Sequence, residues 1–398
     1  MSARLKVDKE SIEAAILGGA VLGGGGGGWI EEGRGLARIA VERGFRKILA
    51  FEDVPEEALL LTVSAVGAPS AGSDALKPED YVRSVEFFQE KTGMKIGGLI
   101  SSEIGALGVV NGWVQSAFLN IPVIDAACNG RAHPLGLMGS MDLHRDREYE
   151  SFQTAVGGDK AKGNRIEAFF SGSLQEVSKL VREASVKAGG LVAVARNPVP
   201  AHYVKKNGAP GAIRMALGLG RIMLMREKIQ EHNKLQEREG VREKDKKRER
   251  KKIPQRMKYN PEEAMNEIVE HLGGNFLMKT RVEKLSLCTE GGLDVGQLLL
   301  SEGKRHYGLT FWNEYMTLEA DKRRIATFPD LIMTFNFETA LPLISAQIKE
   351  NCEVFVVTVP SEKLILGAGM RDPALLKAVE SAIGKEILKF RKIKRKLI

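Results

Sequence analysis

The chain has 398 residues, 43 of them glycine, and a formal net charge of +8. That length is too great for one ordinary core and implies two or three domains, while no apolar run is long enough to span a bilayer. The opening MSARLKVDKESIEAAI carries acids inside any hydrophobic stretch, unlike a secretory signal, and Cys128, Cys288 and Cys352 are scattered without a CxxC pair. A disulfide framework or zinc cluster is therefore not indicated, and the expected location is cytoplasmic.

The positive charge is local. Residues 241–252 (VREKDKKRERKK) carry a net +5 and residues 385–396 (KEILKFRKIKRK) a net +6, so subtracting both from +8 leaves −3 for the rest. The folded body is therefore not basic, so nucleic-acid binding is not the expected main function, and mixed-sign runs are usually solvated helix or linker.

In chain order, Lys9 to Ala20 has helical character and runs into six successive glycines, Gly23 to Gly28. A second helix follows over Glu31–Arg43, with apolar spacing at Leu36, Ile39 and Ala40. Glycines opening a helix bare backbone N–H groups to an anionic or carbonyl-bearing ligand, or else let another backbone pack closely. The ligand reading is favoured here, because six glycines cost too much chain entropy to be a spacer. Lys47 to Phe51 reads as a strand ending in Glu52 and Asp53. This is the outline of a dinucleotide fold, although the glycines lack G-x-G-x-x-G spacing.

The same grammar recurs in a strand at Leu59–Val66 leading to Gly67–Pro69, a helix at Pro78–Lys91 and a strand at Lys95–Ile100 followed by Glu103. A short helix at Gly112–Leu119 after Asn111 and a strand at Ile121–Asp125 complete it. The expected fold class is α/β, with a doubly wound, mostly parallel sheet in the N-terminal domain. Asp125, Cys128, Asn129, Arg131 and His133 then fall within nine residues punctuated by Gly130 and Pro134. Loops at the carboxyl ends of such strands bind ligands, so this loop is the candidate site, with Gly24, Gly25, Gly26, Gly27 and Gly28 beside it. Glu103 is a second site carboxylate or a helix N-terminal acid.

After His144 the chain turns polar to about Arg165. Helices are expected at Ser171–Ala188 and Gly211–Lys228, a strand at Leu191–Ala195, and a charged helical insertion over 227–256. From Gly274 the period shifts towards two, which predicts a β-rich C-terminal domain with a closing helix at Ala374–Lys385. Asn313, Glu314 and Asp330 sit between strands, either facing the first domain's loops or acting as turn residues. The domains expected are 1–165, 166–272 and 273–398.

Several motifs occur together in order: GGAVLGGGGGG at 18–28, VGAPS at 66–70, SEIGALGVVNG at 102–112 and IDAACNGRAHP at 124–134. FWNEYM at 311–316 and FPDLI at 328–332 continue them. Together they resemble the S-methyl thiohydantoin desulfurase domain family, grouped with the hydantoinases and oxoprolinases, over most of the chain apart from its charged middle. Asp125, Gly130, Arg131 and Pro134 match the family's central loop. Ala127 and His133 stand where the pattern has a second acid and an aromatic.

The resemblance implies hydrolytic attack on an imidazolidine-type ring carbon with loss of a thiol such as methanethiol. That chemistry needs an activated water, a proton donor for the leaving group and stabilisation of developing charge. Asp125 or Glu103 is the candidate base, Arg131 and the glycine amides bind ring carbonyls, and His133 shuttles a proton. Asn111, Asn129, Asn313, Glu314 and Asp330 are candidate substrate contacts. Cys128 is a minor candidate nucleophile, since cysteines are more often structural. No spaced motif supports a metal between Asp125, His133 and Glu103, and no cofactor is assigned. The expected partner is a small-molecule substrate, without membrane or nucleic acid and with self-association left open. The competing classes are a nucleotide or nicotinamide enzyme using the glycines with Glu52 or Asp53, and an assembly module docking through the basic segments.

Overall fold

The computed structural model describes residues 5–67, 76–239, 260–290 and 293–390. Ala68–Gly72 of the second glycine loop, the basic run 241–252 and the end of the run 385–396 lie outside the described residues, as does much of the 227–256 insertion.

The chain opens with β1 (Leu5–Lys6), α1 (Lys9–Gly23), α2 (Ile30–Glu42) and β2 (Lys47–Ile48), which pairs antiparallel with β1. Next come β3 (Leu59–Gly67), α3 (Pro78–Thr92), β4 (Gly98–Ser101), α4 (Trp113–Leu119) and β5 (Val123–Ala127). The pairs β3–β4 and β4–β5 are parallel, and a parallel bridge joins Leu49 to Ile124. The first 165 residues thus supply the parallel centre of an α/β sheet, its apolar strands covered on both faces as their composition requires.

The segment after His144 differs from its polar reading. β6 (Glu150–Gly157) and β7 (Ile166–Ser173) form a hairpin there, followed by α5 (Leu174–Lys187) and β8 (Leu191–Pro200). The helix expected from Ser171 starts only at Leu174, where the Ser173 side chain caps it. After α6 (Ala201–Asn207) and β9 (Ala209–Pro210), the sheet order is β7-β6-β8-β3-β4-β5-β9, with antiparallel flanks on a parallel centre.

α7 (Ala212–Glu239) and α8 (Pro261–Leu272) lead into the second sheet: β10 (Asn275–Glu290), β11 (Leu293–Glu302), β12 (Arg305–Trp312), β13 (Glu314–Ala320), β14 (Arg323–Thr327), β15 (Leu331–Asn336), β16 (Pro342–Leu343) and β17 (Glu353–Val359). All its pairings are antiparallel, in the order β14-β13-β12-β11-β10-β17-β15-β16, and α9 (Pro373–Ile383) closes the described chain. No described helix is long and apolar enough to cross a membrane.

One core runs from α1, α2 and α7 into the second sheet. α1 is buried from Ser11 to Gly23 apart from Glu13, and α7 crosses it backbone to backbone. A Cβ on Gly220 would lie 1.8 Å from the Ala14 carbonyl oxygen, and one on Gly18 would lie 1.9 Å from that of Ala216. Helix propensity favours alanine over glycine by about 1 kcal/mol, but such a contact forces the helices apart. Gly220→Ala is therefore expected to lower stability by about 1–3 kcal/mol in urea unfolding. Gly35→Ala on α2, where a Cβ meets nothing within 4 Å, should raise it.

Candidate functional site

A cavity of about 430 Å³ opens at the carboxyl ends of β3, β4 and β5. The end of β3, the turn after β4 and the loop after β5 form one side of it. α5, Arg196 of β8, the Asn313-Glu314 corner between β12 and β13, and the end of the glycine run with the start of α2 border it too. This is where ligands bind in open α/β sheets, and the second sheet completes the wall.

Glu103, in the turn after β4, is the central ionisable group. Its Oε2 accepts the backbone N–H of His133 at 3.1 Å, and burial raises its pKa to about 7 against the pull of Arg196, Arg131 and Arg182. Glu314 faces it from the second sheet. Burial, reinforced by the charge of Glu103, holds the Glu314 carboxyl well above its ordinary value, and its Oε2 is buried without a hydrogen-bond partner. Two carboxyls with unlike affinities for a proton thus border one cavity.

Two guanidinium groups border it as well. Arg196 is 5% exposed and donates from Nη2 to the Ser102 hydroxyl at 2.8 Å. Arg182 reaches in from α5 and is also pushed down by burial. His133 lies beside Glu103, with Nε2 3.6 Å from Oε2. Burial and the charge of Arg196 push its pKa down to about 3, which keeps it a neutral imidazole at the cavity wall. Glu32, in the first turn of α2, was not singled out in the sequence. Its Oε1 is buried without a partner and burial alone raises its pKa to about 7. Asn111 borders the same space with an unpartnered Oδ1.

Other expected site residues lie elsewhere. Asp125, expected as the water-activating base, accepts the Arg214 backbone N–H at 3.0 Å and pairs with the Arg214 guanidinium at 3.2 Å, so it anchors the start of α7 outside the cavity. Arg131 is fully buried but donates from Nη1 to the carbonyls of Asp330 at 2.7 Å and Pro329 at 3.1 Å, with its guanidinium over the Phe328 ring. It joins the two sheets rather than lining the cavity. Asp330 accepts the Ser361 N–H, and Asn129 bridges the Arg131 carbonyl and the Gly367 N–H. Neither Asn129 nor Asp330, both expected as substrate contacts, borders the cavity.

Of the glycine run, Gly27 and Gly28 border the cavity. Gly24, Gly25 and Gly26 instead press on Arg131, Tyr315 and Glu314, where any Cβ would lie 2.2–2.8 Å from those side chains. The run follows helix α1, whereas a dinucleotide fingerprint follows a strand. Glu52 is ion-paired to Arg214 at 3.5 Å. Neither Glu52 nor Asp53 borders the cavity. Cys128 is fully buried beside Thr62, and burial pushes its thiol up to about 11, the reverse of an activated nucleophile.

Arg196 had a legible signal, a lone charge inside the apolar strand LVAVARNPVP. Arg182 had none, since an arginine on an amphipathic helix ordinarily faces solvent.

Residues 10–162 match the S-Me-THD-like N-terminal domain and residues 173–369 the S-Me-THD-like C-terminal domain. No curated protein matches the chain. A crystal structure of a protein from Chromobacterium violaceum, a structural-genomics target, is similar over 96% of both chains with a TM-score of 0.65 and 18% identity, a likeness of fold.

Two variants test these placements. Arg131→Ala leaves buried carbonyls without their donor and is expected to cost about 1–3 kcal/mol in chemical denaturation. A variant as stable as wild type would instead make Arg131 a dispensable ligand group. Glu32 binds its proton more tightly folded than unfolded, so its burial costs stability increasingly as pH rises from about 4.5 through about 7. Glu32→Gln should therefore raise Tm more at pH 8 than at pH 5.

Proposed function

The chain belongs to the S-Me-THD-like family, and from that premise we propose that it is a hydrolase of a hydantoin-like ring, cleaving a C–S bond of the S-methyl thiohydantoin type. The observation that carries this reading is Glu103, a cavity carboxyl raised to about 7 and held by the His133 N–H. A general base is most effective when its pKa lies near the working pH.

On this reading water attacks the ring carbon that bears the methylthio group. Glu103 takes one proton from the water, the C–O bond forms, and the C=N electron pair moves to the ring nitrogen. That nitrogen takes its proton from Glu314, whose hold on a proton burial strengthens. Collapse then restores a carbonyl as the new hydroxyl returns a proton to Glu314. The C–S bond breaks, and the sulfur leaves with the proton held on Glu103. Water enters, methanethiol and a hydantoin leave, and both carboxyls regain their starting states. Arg196 and Arg182 supply positive charge for the electron-rich intermediate.

Glu103→Gln is expected to lower kcat for thiol release from an S-methyl thiohydantoin by about 10²–10⁴-fold. In the wild type, kcat/KM should fall as pH drops through about 7, where Glu103 gains its proton, and that limb should vanish in the variant. A folded wild-type chain that releases no thiol from such rings would refute the reading.

A further inference from the structure

Away from the cavity's carboxyls, Ser140, Asp142, His144 and Asp372 converge where the segment after His133 meets the N-terminus of α9. The Ser140 hydroxyl donates to the Leu137 carbonyl at 2.7 Å, and the same oxygen lies 2.9 Å from His144 Nδ1. On the other side of the ring, His144 Nε2 lies 2.8 Å from Asp372 Oδ2.

The Ser140 hydroxyl has one proton, and where it goes to Leu137 the same oxygen accepts from Nδ1–H of His144. That tautomer turns the Nε2 lone pair towards the Asp372 carboxylate, an arrangement a metal ion would satisfy.

Asp142 favours a metal ion over a proton in that position. It contributes a ligand atom within 4.8 Å of those of His144 and Asp372, and its Oδ1 is buried without a hydrogen-bond partner. A proton on His144 satisfies Asp372 and leaves Asp142 as it was, whereas a metal ion satisfies all three. Arg145, 3.7 Å from Asp142 Oδ2 and largely exposed, only partly offsets two carboxylates.

We propose that Asp142, His144 and Asp372 form a divalent transition-metal site that fastens the start of α9 to the wall of the cavity. One imidazole and two carboxylates suit zinc or manganese better than calcium or magnesium, which prefer all-oxygen sets. Ser140 plays the outer-shell part, fixing the tautomer that leaves Nε2 free to bind. Asp142 is 26% exposed, which leaves a path for entry and room for water ligands. Leu137, whose carbonyl holds Ser140, borders the cavity, so the ion would act on the cavity through its wall. The row Ser140–His144–Asp372 is not a nucleophile triad, because Ser140 is 1% exposed and out of reach of a substrate.

The test is isothermal titration of the chelator-treated full chain with Zn²⁺, with Co²⁺ absorption as a report on ligation. One stoichiometric site is expected, weakened at least 10-fold in Asp142→Asn and lost in His144→Gln together with the Co²⁺ ligand-field bands. Asp142 has a left-handed backbone at φ 67°, which asparagine accepts, so the first variant should fold even if the second does not. A wild-type chain that takes up neither Zn²⁺ nor Mn²⁺ at this site overturns the proposal. Uptake unchanged in Asp142→Asn would equally overturn it, since the ion would then be bound elsewhere.

Discussion

The two sheets meet backbone against side chain, where the glycine run at the end of α1 packs on the start of β13. The Gly24 carbonyl accepts the Tyr315 N–H at 2.7 Å and the Gly25 carbonyl accepts the Ser345 N–H at 2.8 Å. A side chain at either glycine, or at Gly26, would collide with Arg131, Tyr315 or Glu314. The second sheet can therefore reach the first only across a strip with no side chains, and that approach brings Glu314 to the cavity. Gly24 and Gly25 also need positive φ, at 57° and 95°, a conformation glycine adopts at little cost. Arg131 secures the same junction by holding the carbonyls before β15.

The parallel centre of the first sheet was legible because its strands are short apolar runs separated by helices, a pattern with few alternative folds. The hairpin of β6 and β7 was not. FQTAVGG and EAFFSGS mix polar and apolar residues without strict alternation, and packing by α5 rather than periodicity makes them strands. The glycine run showed that something must approach closely but not what. Composition cannot separate a ligand from a tyrosine ring.

The loop after β5 borders the cavity through His133, yet the direction of each of its side chains was out of reach of the sequence. Successive residues of a strand face opposite ways, and Asp125 lies within β5 with its carboxylate turned to α7. Arg131 carries the charge expected of a ligand group, but carbonyls nearly two hundred positions away claim it. Such long-range partners leave no trace in local spacing. Glu103 was readable as a carboxylate after a strand, while its protonation depends on enclosure by Arg196 and Glu314, which arrive from two later strands.

That enclosure also determines what the cavity can stabilise. Burial holds the Glu314 carboxyl well above its ordinary value, keeps His133 uncharged near neutral pH, and brings Glu103 and Glu32 to about 7. Arg182 and Arg196 are lowered by burial, but a guanidinium starts so far above neutrality that it keeps its charge. The carboxyls are thus only partly ionised against two fixed cations. In so enclosed a space a positive balance acts with less screening than at the surface. It favours a bound group that gains electron density as it reacts, and it would oppose a mechanism building positive charge on the substrate. Addition of water to a C=N bond builds negative charge on nitrogen and then on sulfur. The electrostatics of the cavity and the proposed chemistry therefore agree in sign.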